Sequence, residues 1–337
     1  MASVSIGSLV LESGEILENV ELAYERCGKN GAPVVLVCHA LTGDQFAVGT
    51  AENPGWWAGL AGPGKAVDTN KFQVITFNVL GGCSGSTGPL SINPHTGTPY
   101  RAAFPAITIR DMVNAEYAAL KELGITGLAA VIGGSLGGMK TLEWGRSYPE
   151  FTKAIFPLAV TPAYSDFGVA FNFIGIQSII NDPKFNGGDY GDAAELKGFE
   201  VARMAGMVTY RSGGMFNERF RRSTRGEIFE VESYLAYQGQ KLAKRFDANS
   251  YVALLQAMNT HDVSEARLEV EVFSLSYTHD LLYPSEGMVP WLKCQPNASW
   301  GIVDTQFGHD GFLVEFEKWD HHISKKLNSL PIPQLMQ

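Results

Sequence analysis

Short runs of consecutive apolar, mostly β-branched residues recur along the first half of the chain, and each ends in small or glycine-rich residues. Val34-Val35-Leu36-Val37-Cys38 leads into His39-Ala40-Leu41-Thr42-Gly43-Asp44. Residues 72–77 lead into a glycine-rich loop over 81–88, and residues 128–132 lead into Gly133-Gly134-Ser135-Leu136-Gly137-Gly138. Runs without polar alternation suit strands covered on both faces, as in a parallel sheet. A helical pattern over 109–123 lies between two of them, which predicts βαβ crossovers.

The rhythm lengthens after Val160. Helical stretches are expected around 167–180, 193–207 and 233–246, and strand-like runs return at 270–277 and 299–303, each followed by a polar loop. A last helix is expected over 311–327. The pattern predicts one α/β core, residues 1–161 and 268–337, interrupted by a helical insertion over 162–267. No internal repeat is evident.

With 337 residues, 45% of them hydrophobic and 18% charged, the chain can bury a large core and does not read as disordered. The 26 basic against 35 acidic residues give a net charge of −9, which disfavours a nucleic-acid partner. Arg219, Arg221, Arg222 and Arg225 form a local basic run that could attract phosphates, but a solvated helix face is the plainer expectation. Cys27, Cys38, Cys83 and Cys294 are scattered and form no CxxC pair, so neither a disulfide framework nor a zinc site is expected. The opening Met-Ala-Ser-Val-Ser-Ile-Gly does not resemble a signal peptide, and no apolar run approaches the roughly 20 residues that span a bilayer. A soluble, cytoplasmic protein with no membrane contact is expected.

Gly133-Gly134-Ser135-Leu136-Gly137 matches the G-x-S-x-G pattern of a serine exposed on a sharp strand-to-helix turn. Small flanks let the hydroxyl stand clear, and the N–H of Leu136 can then point at a developing oxyanion. The motif alone is short enough to arise by chance. Here an apolar run precedes it and a helical pattern follows, which is the setting it requires.

A serine hydroxyl needs a base, and the base an orienting acid, in the chain order Ser, acid, His. His321 and His322 fall late in the expected last helix, where solvent is their natural partner, and His261 falls in the insertion. His279 directly follows a strand, a place better suited to its neighbour Asp280 as the acid. His309 lies in the loop before the last helix and is the candidate base. Asp304 is the rival acid, with Asp262 behind it. A second oxyanion donor is expected from the N–H of Leu41, after an early strand, while His39 reads as structural rather than as a second base.

Several stretches, in order, cover almost the whole chain and resemble the homoserine O-acyltransferases of the α/β-hydrolase superfamily. They are Cys38 to Asp44, Asn78 to Pro89, Phe104 to Asp111, Gly133 to Met139, Phe246 to Tyr251 and Gly308-His309-Asp310. The resemblance implies an α/β-hydrolase fold, with a mostly parallel central sheet and a helical lid insertion. It places the nucleophile at Ser135, the acid at Asp280 and the base at His309. It further implies that Asp310 holds the ammonium of L-homoserine and that Arg203, with Tyr210 nearby, pairs with the substrate carboxylate. Arg203 and Tyr210, seven residues apart, would share a helix face about 10.5 Å apart along the axis, and guanidinium suits bidentate carboxylate binding.

The implied reaction is ping-pong acetyl transfer from acetyl-CoA, as co-substrate, to the homoserine hydroxyl in methionine biosynthesis. It needs no metal and no bound cofactor, and the family resemblance also implies a homodimer. One departure stands out: over Pro162 to Asn172 only the Ala-Phe-Asn end of the family's pattern is kept, which leaves the acyl and acceptor pockets open. The alternatives are a succinyl donor, L-serine as acceptor, or an esterase or thioesterase using the same triad.

Overall fold

The structure is a computed structural model that describes residues 2–331. Its central sheet has eight strands, β1 (Ala2–Val10), β2 (Ile16–Cys27), β3 (Val34–Cys38), β4 (Gln73–Phe77), β5 (Ala130–Gly134), β6 (Ala154–Leu158), β7 (Glu271–Tyr277) and β8 (Ala298–Val303). Their spatial order is β1-β2-β4-β3-β5-β6-β7-β8. The six strands from β4 to β8 in that order run parallel, while β2 joins β1 and β4 antiparallel.

The apolar runs are continuous because both faces of the central strands are covered. Every residue of β3, β4, β5 and β6 is buried. Within β3, Val34, Leu36 and Cys38 enter one core and Val35 and Val37 the other, the period-2 alternation of a strand. The first core is covered by α1 (Ile109–Glu122), α2 (Leu136–Ser147) and α8 (Ser285–Lys293); the second by the segment around Trp57 and by α9 (Asp320–Ser329). At the start of α1, Thr108 Oγ1 accepts from Asp111 N at 3.1 Å and Asp111 returns the bond to Thr108 N at 2.9 Å, so both orphan amides are satisfied.

Between β6 and β7 the chain leaves the sheet and builds α3 (Asp166–Ile180), α4 (Lys197–Tyr210), α5 (Gly213–Phe220), α6 (Glu230–Ala243) and α7 (Ala248–Asn259). The outgoing and returning segments lie side by side: Tyr164 N donates to His261 O, Val263 N donates to Pro162 O, and Ala163 bridges Asp262.

Three expectations change. The last helix is not continuous over 311–327: residues 308–313 and 316–318 form 3-10 turns, and α9 starts only at Asp320. Glu315 sits in the left-handed region at φ 49° and its carboxylate is bound by Thr305 Oγ1, which breaks the helical run. His321 and His322 therefore lie in the first turn of α9, not late in it; both are exposed. The stretch expected to be helical from 193 splits at Leu196, whose backbone is extended, so α4 begins at Lys197.

Candidate active site

Ser135 joins β5 to α2 with φ 59° and ψ −125°, a conformation that L side chains rarely adopt. The flanking glycines make this turn possible. A Cβ on Gly137 would lie 2.1 Å from the carbonyl oxygen of Cys38, and one on Gly133 2.5 Å from that of Gly137. The start of α2 therefore packs directly on the end of β3, whose Cys38 is in register with Gly133. Among the described residues, the amides of Leu136, first in α2, and Leu41, just after β3, donate to no acceptor within the chain. Leu41 and Ser135 line one cavity.

His309 and Asp280 are both 4% exposed, and His309 Nδ1 lies 2.8 Å from Asp280 Oδ2. Asp280 is itself fixed, because its Oδ1 accepts from the backbone N–H of Leu282 at 2.9 Å and of Tyr283 at 3.0 Å. With Nδ1–H donating to a carboxylate, the lone pair of the neutral ring is on Nε2, the arrangement a general base needs. The imidazole is boxed by Tyr283, Phe312 and Tyr210, with ring centroids 5.0, 5.5 and 5.8 Å away. Tyr210 and Leu282 line the same cavity as Ser135, and the Tyr283 hydroxyl lies beside that serine.

The rival carboxylates are elsewhere. Asp304 is exposed and accepts from Thr278, and exposed Asp262 caps Ser264. His261 is buried at the root of the insertion, where burial pushes its pKa down to about 4, and His279 is exposed. His39 is buried with its pKa pushed to about 3, mainly by burial and then by Lys140.

Arg203 and Tyr210 both lie on α4, with the guanidinium carbon 5.4 Å from the Tyr210 ring centroid. Arg203 Nε is buried without a hydrogen-bond partner, and among the described residues no carboxylate pairs with this side chain. A half-buried cation left without an anion is prepared to receive one. Asp310 differs from expectation in one respect: its Oδ2 already accepts from Arg211 Nε at 2.9 Å, while Oδ1 has no partner among the described residues. Next to Arg211, the Ser212 hydroxyl donates to the carbonyl of Gln306, so the α4–α5 joint is fastened to the loop that carries His309.

Sequence reasoning missed Arg211 and the tyrosine wall of Tyr164, Tyr251 and Tyr283. Burial pushes the pKa of all three phenols upward; Tyr164 and Tyr251 line the cavity, and Tyr283 lies behind them over His309. Tyr283 follows Asp280 by three residues, but nothing in that spacing shows that its ring covers His309. The unusual segment after Pro162 contributes Tyr164, Phe171 and Asn172 to the cavity lining. In the basic run, Arg219 lies over the rings of Phe220 and Tyr234, and Arg222 over Phe229. Among the described residues no group of three or more His, Cys, Asp or Glu could hold a metal ion, and no helix is long and apolar enough to cross a membrane.

Residues 33–316 match the family model for the alpha/beta hydrolase fold. The chain is 42% identical to a homoserine O-acetyltransferase of Carboxydothermus hydrogenoformans, over 94% of this chain and 91% of that protein. It is likewise 42% identical to one of Symbiobacterium thermophilum, over 96% of this chain and 92% of the relative. The chain belongs to the homoserine O-acetyltransferase family. Among solved structures, the homoserine O-acetyltransferase of Bacillus anthracis superposes with a TM-score of 0.91 at 27% identity, covering 97% of both chains. Esterase E22 is also close, with a TM-score of 0.89 at 25% identity over 97% of this chain and 99% of that one. In this family member the expected α/β-hydrolase architecture is met, with its mostly parallel sheet of eight strands.

Proposed function

We propose that the protein moves an acetyl group from acetyl-CoA to the hydroxyl of L-homoserine, giving O-acetyl-L-homoserine for methionine biosynthesis. His309, oriented by Asp280, takes the proton of Ser135 as its Oγ attacks the thioester carbonyl. The N–H groups of Leu136 and Leu41 stabilise the tetrahedral oxyanion. The intermediate collapses, the C–S bond breaks, and CoA leaves with the proton from His309. Homoserine then enters with its carboxylate on Arg203 and Tyr210 and its ammonium on Asp310 Oδ1. His309 removes the proton of its hydroxyl, the alkoxide oxygen attacks the acetyl-serine, and Ser135 regains a proton.

The observation that carries the amino-acid acceptor is Arg203, whose buried Nε has no partner among the described residues and whose guanidinium lies 5.4 Å from the ring of Tyr210, itself a lining residue of the Ser135 cavity. A hydrolase of simple esters has no use for an unpaired guanidinium there. The reading includes a cytoplasmic homodimer; Phe173 and Ile174 on α3 and Val201 and Val208 on α4 are exposed and apolar, which supports an interface on this face. The test is the initial rate of CoA release from acetyl-CoA with and without L-homoserine. Strong dependence on homoserine supports the transferase; equal rates with and without it would make water the acceptor and the protein a thioesterase. Parallel assays with succinyl-CoA and L-serine test the donor and acceptor.

A further inference from the structure

His39 takes no part in the reaction described above, yet it lies fully inside the protein, 1% exposed, at the end of β3 beside the Ser135 turn. Its two nitrogens have different duties. The backbone N–H of Val79 lies 3.0 Å from Nε2 and can only donate, so Nε2 is an acceptor and carries no proton. The ring is neutral, so its one proton is on Nδ1, which lies 2.7 Å from the carbonyl oxygen of the next residue, Ala40.

That carbonyl belongs to the same peptide unit as the N–H of Leu41. A trans peptide is planar, with its C=O and N–H pointing in opposite directions, and among the described residues there is no cis bond. Holding the Ala40 oxygen toward the imidazole turns the Leu41 N–H the other way. Leu41 lines the cavity with Ser135, and its amide has no acceptor among the described residues.

We propose that His39 is a positioning residue that fixes the Ala40–Leu41 peptide plane, so that the Leu41 N–H stands ready for the oxyanion. The Val79 amide, by occupying Nε2, sets the tautomer that makes this possible. The proposal rests on Leu41 being an oxyanion donor, and it adds the side chain that aims it, together with the Gly43 N–H, which donates to the same Ala40 oxygen at 2.9 Å and is present in every variant below.

The two nitrogens can be replaced one at a time. In His39→Asn the side-chain amide nitrogen occupies the place of Nδ1 and can still donate to Ala40, while the acceptor for Val79 is lost. In His39→Gln the amide reaches the place of Nε2 and can accept from Val79, while the donor to Ala40 is lost. The three variants, with His39→Ala, are compared with wild type for release of p-nitrophenol from p-nitrophenyl acetate, which requires Ser135 acylation but no homoserine. Thermal unfolding checks that each variant is folded.

Loss of a whole oxyanion donor lowers kcat by about 10²–10³-fold, so misaiming one should lower it by roughly ten- to a hundredfold. The expected result is this loss in His39→Gln and His39→Ala, with KM and the pH profile unmoved, and substantial recovery in His39→Asn. Recovery in Gln but not in Asn would overturn the proposal, because the histidine would then serve only the Val79 loop. Wild-type turnover in all three would overturn it as well. Because the ester assay uses no homoserine and no CoA, failure of the acetyltransferase reading would leave this comparison intact and would be seen separately in the CoA-release assay.

Discussion

Arg211 Nε donates to Asp310 Oδ2 at 2.9 Å, and the two side chains are only 21% and 16% exposed. One residue follows α4, midway through the helical insertion, and the other directly follows His309, so this ion pair joins the two parts of the chain beside the proposed base. Removing the guanidinium takes from Asp310 its one ion pair among the described residues. Arg211→Ala is expected to raise the KM for homoserine about tenfold and to lower stability by about 1–2 kcal/mol, a partly screened pair being worth less than a fully buried one. Arg211→Lys, a point charge without the planar fork, should restore stability better than it restores KM. Steady-state kinetics and urea unfolding of both variants check this.

Arg203→Ala removes the unpaired guanidinium. Loss of its charge-assisted hydrogen bonds to a carboxylate is expected to lower kcat/KM for homoserine by about a hundredfold or more, corresponding to about 3 kcal/mol. Hydrolysis of p-nitrophenyl acetate, which has no carboxylate to hold, should stay within about twofold of wild type. Equal loss in both assays would show that Arg203 supports the site as a whole and does not select the acceptor.

Behind the serine turn, Lys140 of α2 pairs with Glu116 of α1, and both side chains are at most 1% exposed. Trp144 Nε1 donates to the second carboxylate oxygen at 3.1 Å. Removal of one member leaves a buried charge alone, so Lys140→Met should cost about 3–5 kcal/mol. The double change Lys140→Met with Glu116→Leu should recover much of that loss. Denaturant midpoints of the two single variants and the double variant close the cycle.

Acid should destabilise the protein through its buried histidines. Burial holds His39 down to about 3 and His261 down to about 4, against 6.5 in the unfolded chain. Below pH 6.5 the unfolded state therefore binds protons that the native state refuses. This contribution is complete above pH 6.5 and is lost progressively as pH falls toward 4 for His261 and toward 3 for His39. The urea midpoint of the wild type should fall between pH 7 and pH 5, and His261→Asn should flatten that fall. An identical fall in the variant would assign the acid sensitivity to other groups.

The central strands were legible because complete burial leaves a local trace: β3 is five apolar residues in a row, and β4 is interrupted only by the buried Gln73 and Thr76. The serine turn was legible for a similar reason, since its glycines answer clashes within a few ångströms of Ser135. The β1–β2 hairpin carries no such trace: β1 is largely exposed, with only Leu9 buried, so its sequence shows no continuous apolar stripe. The break before α9 was hidden because glutamate is a good helix former, while the left-handed Glu315 has its carboxylate bound by Thr305, ten positions back, and by Lys318. Arg211 and Asp310 are 99 positions apart, and Tyr283 covers His309 from 26 positions away. Such contacts follow from the order of strands in the sheet and not from local spacing.

The side-by-side pairing of Pro162–Tyr164 with His261–Val263 brings the exit and the return of the intervening helices to one point. Because exit and return already touch, a short turn could replace residues 165–260 without moving any strand of the sheet. The stripped chain would keep Ser135 and Asp280 just beyond their strands and His309 with Asp310 in the turn before α9, and would lose Arg203, Tyr210 and Arg211 together. The triad is thus encoded outside the insertion, while the proposed acceptor clamp is divided between the insertion, through Arg203, and the sheet-bearing part, through Asp310, so a different insertion on the same root would replace one half of that clamp.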